Sequence, residues 1–176
     1  MKTKMTGTTI KHFITFALIF LLGIATSVAQ EKFKIAGKQT LAFTNQERIM
    51  IGDIDGHVLS LAEAKGVNQS TGPTEFMDGA QAINVVSSDL VNFSGPIHGY
   101  SISKKGNDSF YAKIEGKLTT TVSSDGSPLT TIEATMTWIK GTGKYEGVMG
   151  GGTAKGRYIA PNIYIMEWEG EYWIEK

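Results

Sequence analysis

Residues 163–175 read Ile-Tyr-Ile-Met-Glu-Trp-Glu-Gly-Glu-Tyr-Trp-Ile-Glu. The even positions carry Tyr164, Met166, Trp168, Gly170, Tyr172 and Ile174, whereas Glu167, Glu169, Glu171 and Glu175 fall on odd ones. Successive side chains of a strand point to opposite faces, so this stretch has an apolar face and an acidic, solvated face. Helical winding would gather Glu167, Glu171 and Trp168 on one side and give no amphipathic stripe. The segment is a strand, and its glutamates are the wet side of a sheet.

The same parity extends upstream. Phe110, Ala112, Ile114, Leu118 and Val122 alternate with Tyr111, Lys113, Glu115, Lys117, Thr119 and Thr121, and Ile132, Ala134, Met136 and Trp138 alternate with Thr131, Glu133, Thr135 and Thr137. Between the two runs lies Ser124-Asp125-Gly126-Ser127-Pro128, a composition that turns the chain tightly, so 109–140 reads as one β-hairpin. Further strands are predicted at 32–43, 47–54, 57–65, 81–87, 97–104, 146–158 and 162–175, about nine in all, with no amphipathic helix after residue 29. Such a set either packs as a sandwich or closes into a barrel. Glycines within strand patterns (Gly37, Gly52, Gly99, Gly116, Gly147, Gly156, Gly170) permit the bulges and coiling that closure requires, which favours an all-β antiparallel barrel.

The first residues have a different composition. Met1–Lys11 is cationic, Phe13–Ala25 is almost continuously apolar, and Ser27-Val28-Ala29 offers small residues for a signal peptidase. This is the pattern of a secretory signal over residues 1–29, followed by a single domain over 30–176 and a secreted or periplasmic location. The apolar run has 13 residues where a spanning helix needs about 20, so no stable membrane anchor is expected after cleavage. The 17 basic and 17 acidic residues of the whole chain balance only because Lys2, Lys4 and Lys11 lie in this segment; subtracting those 3 leaves 14 against 17, a charge of −3. A mildly acidic domain lacks the basic stripe of a nucleic-acid binder. The absence of cysteine excludes disulfides, thiolate zinc sites and cysteine nucleophiles.

No sequence pattern carries a familiar catalytic chemistry. The glycine-rich run 141–156 lacks the spacing of a phosphate-binding loop, with Glu146 where a dinucleotide fingerprint needs glycine, and no helix is predicted after it. It reads as a tight turn followed by a bent strand. His57 follows Asp55-Gly56 and reads as an exposed turn residue; His98 shares its side of a strand with Tyr100 and Ile102 and is expected to face inward. Neither makes a metal-ligand spacing with Asp53, Asp55 or Asp78, so no metal or cofactor is expected. The pair Glu75 and Asp78 and the row Glu167, Glu169, Glu171 do not require the convergence of a glycosidase.

The ordered motifs do resemble a family. Glu75-Phe76-Met77-Asp78-Gly79-Ala80, His98-Gly99-Tyr100, Gly106 to Tyr111 with Glu115-Gly116-Lys117, Trp138 before Gly141-Thr-Gly-Lys-Tyr-Glu-Gly147, and Glu167 to Tyr172 are similar to the small bacterial relatives of the allene oxide cyclase and dirigent β-barrels, over about residues 75–175. The resemblance implies a closed eight-stranded antiparallel barrel with a partly apolar cavity. Plant members of this superfamily cyclise a fatty-acid epoxide or steer phenoxy-radical coupling without a cofactor, and commonly assemble as trimers; a homo-oligomer is therefore implied for this chain.

Three functions follow as expectations. The first is an exported, non-enzymatic barrel that binds a small hydrophobic or amphipathic molecule, with Tyr100, Trp138, Trp168 and Tyr172 as interior candidates for the contact, or that serves a structural role. The second is a cofactor-free cyclase or isomerase, which requires titratable groups buried in the pocket. The third is an interaction module of the cell envelope whose acidic strand meets a basic partner.

Overall fold

A computed structural model describes residues 30–175; the signal segment read over 1–29 lies outside the described residues. Eight antiparallel strands follow one another: β1 (Phe33–Met50), β2 (His57–Ser70), β3 (Gln81–Val91), β4 (Gly95–Lys105), β5 (Asp108–Val122), β6 (Pro128–Thr142), β7 (Val148–Ala160) and β8 (Ile163–Ile174). Each pairs with the next, and β1 pairs with β8, which closes the barrel. The expected β-hairpin is the β5–β6 pair, in register from Ser109↔Thr142 to Val122↔Pro128.

The count differs from the sequence reading because 32–43 and 47–54 are one strand. A bulge between Phe43 and Asn45 interrupts the β1–β2 register, and one extra residue reverses the parity of everything after it. Before the bulge Ile35, Gln39 and Leu41 are buried; beyond it the strand is exposed.

Parity holds where it was read most strictly. On β8 Tyr164, Met166 and Trp168 point into the barrel, and Glu167 and Glu169 are exposed outside. Outward acids meet outward lysines on neighbouring strands, as in Lys32–Glu171 at 2.6 Å and Lys117–Glu133 at 3.4 Å. A charged exterior around an apolar interior is the reverse of a lipid-facing barrel. No helix among the described residues is long and apolar enough to cross a membrane.

In an up-and-down barrel alternate connections gather at opposite ends. One end is plugged. The β2–β3 connection, 71–80, folds inward and buries Phe76, Met77 and Ala80. Asn68, fully buried on β2, donates through Nδ2 to the carbonyls of Phe76 (3.2 Å) and Met77 (3.0 Å), and its Oδ1 accepts from Trp168 Nε1 (3.1 Å). Asp78 Oδ1 accepts from the Ser70 amide at 2.8 Å, so one of the two carboxylates flanking Phe76-Met77 anchors the plug. The run 141–156 forms a short 3-10 turn, Gly143–Tyr145, and then β7, as expected.

Behind the plug the rings interlock. Phe76 meets Phe110 at 4.7 Å and Tyr145 at 5.1 Å, Phe110 meets Trp138 at 5.1 Å, and Phe76 meets Trp168 at 5.7 Å, all near edge-to-face. Such contacts add about 0.5–1.5 kcal/mol each beyond area burial. Gly37 explains how Trp168 fits: a Cβ there would sit 2.4 Å from the indole, so only glycine lets the ring lie flat on β1.

Candidate functional site

The other end is open. A cavity of about 850 Å³ fills that half of the barrel and reaches the rim at Gly56, Asn92, Phe93 and Pro161, on or beside the connections that follow β1, β3 and β7. Its existence follows from side-chain size. On β2 and β3 the inward positions beside it are Ser60, Ala62, Asn84, Val86 and Ser88, with Ala134 on β6 opposite, so the wall is set back where the plugged end places indoles. Ile97, Ile114, Leu118, Ile132 and Met166 add apolar surface to the wall. A cleft of roughly 300–1,000 Å³ with an apolar wall and few polar groups is the usual form of a small-molecule site.

The polar groups are few and mostly paired with one another. Ser60 Oγ and Ser88 Oγ lie 2.6 Å apart, and Thr120 Oγ1 and Thr130 Oγ1 lie 2.8 Å apart. Arg48, on the exposed end of β1, donates to Gln46 Oε1 at 2.8 Å. Tyr158 and Tyr164 stand side by side with ring centroids 5.7 Å apart. Burial raises both phenols, Tyr164 to about 12, so both are neutral donors at ordinary pH. Asn84 Nδ2 donates to Tyr164 Oη at 3.3 Å, and Asn84 Oδ1 has no protein partner although the residue is only 5% exposed.

The mouth is tied together on one side. His57 is 17% exposed, its Nδ1 2.6 Å from Asp53 Oδ1 and its Nε2 2.7 Å from Asp89 Oδ1. The two carboxylates, Asp89 first and Asp53 second, raise the proton affinity of the imidazole, and His57 in turn lowers that of Asp53. His57 is thus a clamp between β3 and the β1–β2 connection, a correction to its reading as an exposed turn residue; its partner Asp89 stands 32 positions away and is found only through strand pairing. Asn92 and Phe93 turn β3 into β4 with φ of 50° and 62°, and Phe93 stands 66% exposed at the cavity mouth. Thr120 holds this turn, its Oγ1 donating to the Phe93 carbonyl at 2.9 Å. Among the described residues no group of three or more His, Cys, Asp or Glu is placed to hold a metal ion.

The four aromatic candidates fall elsewhere. Trp138, Trp168 and Tyr172 come together in the plugged half, and the two tryptophans line only a void of about 40 Å³ beneath the cavity floor. Tyr100 is 51% exposed on the outside of β4, with His98 also exposed and Ile102 on the same side. This corrects the inward reading of Tyr100 and His98. The buried positions of that strand are Ile97, Ser101 and Ser103, because the space inside is already taken by Phe110, Trp138 and Trp168, leaving room for serine only. None of the four candidates lines the large cavity.

No protein-family model matches the chain, and no curated protein matches it. Among solved structures it is similar to the pterocarpan synthase dirigent protein GePTS1, with TM-score 0.43 and 11% identity over 99% of this chain and 98% of that chain. It is also similar to the pterocarpan synthase dirigent protein PsPTS1, with TM-score 0.44 and 10% identity over 83% of this chain and 97% of that one.

Proposed function

We propose that this protein is an exported barrel that takes up one small, largely apolar molecule through its open end and holds it without turnover. The observation that carries this reading is the cavity of about 850 Å³ in a barrel whose opposite half is packed with rings. Removing an apolar molecule from water into that space gains roughly 25 cal/mol for each Å² buried, and the wall asks little desolvation in return because four of its hydroxyls are hydrogen-bonded in pairs. Export is supported by the cationic, apolar and small-residue succession of residues 1–29.

The lining chemistry favours holding over conversion. Among the described residues that line the cavity there is no carboxylate and no imidazole, and the one cation, Arg48, sits towards the mouth. The phenols of Tyr158 and Tyr164 are held neutral by burial and serve as hydrogen-bond donors rather than bases. A cyclase working by proton abstraction would need a base that this wall does not supply.

The test is titration with N-phenyl-1-naphthylamine, a probe that brightens on leaving water. Saturable uptake of one probe per chain is expected, with a thermal midpoint raised by roughly 5–10 °C at a hundredfold excess over Kd. Absence of both responses contradicts the reading.

A further inference from the structure

Resting on that reading of the cavity, we propose that its floor is a recognition site for a neutral hydroxyl group, held between Asn84 and Tyr164. The molecule it takes is then an apolar compound that enters with a single hydroxyl leading, such as a phenol or a fatty or terpenoid alcohol.

Asn84 lines both the large cavity and the small void beneath it, which places it at the floor, between Ala82 and Val86 on the inward face of β3. Among the described residues, its Oδ1 is the one fully buried side-chain nitrogen or oxygen without a hydrogen-bond partner. Buried polar atoms are almost always partnered, and an exception calls for a reason. The Asn84 Nδ2 donation to Tyr164 Oη is long, 3.3 Å, and leaves the phenolic proton for another acceptor. The Asn84 Oδ1 is closed even to a water molecule in this structure, so a bound hydroxyl reaches it only when the Asn84 side chain turns towards the cavity; the floor then offers one acceptor and one donor side by side. A hydroxyl is complementary to both at once: its hydrogen goes to Asn84 Oδ1 and its oxygen accepts from Tyr164. With the amide turned the other way, Tyr164 donates to Oδ1 and the amide N–H faces the cavity, where a hydroxyl oxygen again accepts.

Other head groups fit less well. A hydrocarbon leaves Asn84 unpaired. A carboxylate at the floor would find no cation, since Arg48 lies on the exposed end of β1 with Gln46, and the same burial that raises Tyr164 opposes negative charge there. Thr120 and Thr130 use both their protons, in their mutual bond and on the Phe93 carbonyl, whereas the Ser60–Ser88 pair keeps one proton but no unpartnered acceptor as strong as Asn84 Oδ1.

The test is displacement of N-phenyl-1-naphthylamine at pH 7 by three molecules that share one ring system: biphenyl, 4-phenylphenol and biphenyl-4-carboxylate. The hydroxyl compound is expected to bind roughly tenfold more tightly than biphenyl, and the carboxylate most weakly. In Asn84→Leu the hydroxyl advantage, read as the ratio of the two affinities, should vanish. Tyr164→Phe, which removes one O–H and keeps the ring, should reduce the advantage and serves as the test should Asn84→Leu not fold. Equal affinity for biphenyl and 4-phenylphenol, a preference for the carboxylate, or an advantage undiminished in a folded variant overturns the assignment of the floor alone. A protein that takes up no probe at all overturns the cavity reading and this assignment together.

Discussion

Asn68 and Asn84 are buried asparagines on adjacent strands that face into the same barrel, and their surroundings are opposite. Asn68, under the plug, makes three hydrogen bonds, to two carbonyls and an indole. Asn84, at the cavity floor, makes one long bond and keeps an unpartnered oxygen. The plugged end spends its polar groups on its own cohesion: Trp138 Nε1 likewise donates to the Glu171 carbonyl at 2.8 Å. At the open end Asn84 Oδ1 stays without a partner. One barrel thus divides into a packed half and a hollow half.

The sharpest way to break that comparison is to make the same change at both asparagines. Asn68→Leu strands the Trp168 N–H and the Phe76 carbonyl in the core and should cost about 2–5 kcal/mol, read as a lower denaturation midpoint at unchanged slope. Asn84→Leu removes one unpartnered oxygen together with one long bond to Tyr164, and should stay within about 1 kcal/mol of the parent. Similar losses at the two sites would erase the distinction.

A second pair adds volume instead of removing polarity. Ala112→Phe pushes a ring into the half that holds Phe110 and Trp138, where the free space is about 40 Å³, and should destabilise by about 1–3 kcal/mol or more. Ala62→Phe enters the cavity of about 850 Å³ and should leave the midpoint within about 1 kcal/mol of the parent. Differential scanning calorimetry of the two variants checks the contrast.

Both ends hold residues other than glycine at positive φ, Met77 at 48° in the plug and Asn92 and Phe93 at 50° and 62° on the rim, but only Phe93 stands exposed at the cavity mouth. A two-residue hairpin turn of this hand requires positive φ at both positions, where Asn-Gly is usual and Phe93 is costly. Phe93→Gly should raise stability by about 1 kcal/mol and weaken probe uptake severalfold, because the ring lines the mouth. A loss of stability with uptake intact would deny Phe93 a role in the site.

The smallest effect is the His57 clamp. Asp89 and Asp53 raise the folded-state proton affinity of the imidazole. A raised value means the contribution is fully present below the unfolded value of about 6.5 and is lost as pH rises through the folded one. The thermal midpoint should therefore fall gently from about pH 6 upwards, and His57→Gln should flatten that slope; an unchanged slope would remove the clamp. Both carboxylates are more than half exposed, so solvent screening keeps the effect small.

Much of the barrel is legible in the sequence because inside and outside are chemically opposed on β5, β6 and β8, where Ile114, Ala134 and Trp168 alternate with Lys113, Glu133 and Glu167. Legibility fails where another force sets the inward side. The bulge after Phe43 reverses parity within β1 and splits one strand into two. On β4 hydropathy favours Tyr100 and Ile102 as the inner residues, but available space selects Ser101 and Ser103. Trp138, Trp168 and Tyr172 fill the plugged half, because large rings fill a barrel rather than hollow it. The cavity has its signal in smaller residues: the inward run Ala82, Asn84, Val86 and Ser88 places an amide and small side chains where core strands carry bulk. The pairing of His57 with Asp89 has no local signal, since it arises only from the β2–β3 register that sets His57 opposite Val91.

The proposed uptake of a molecule by the open half is tested most directly by calorimetric titration of N-phenyl-1-naphthylamine into the parent protein and into folded Ala62→Phe. Saturable one-to-one binding to the parent, lost when the ring at position 62 fills the cavity, is the predicted result. Binding that persists undiminished in Ala62→Phe, or no binding to the parent, contradicts it.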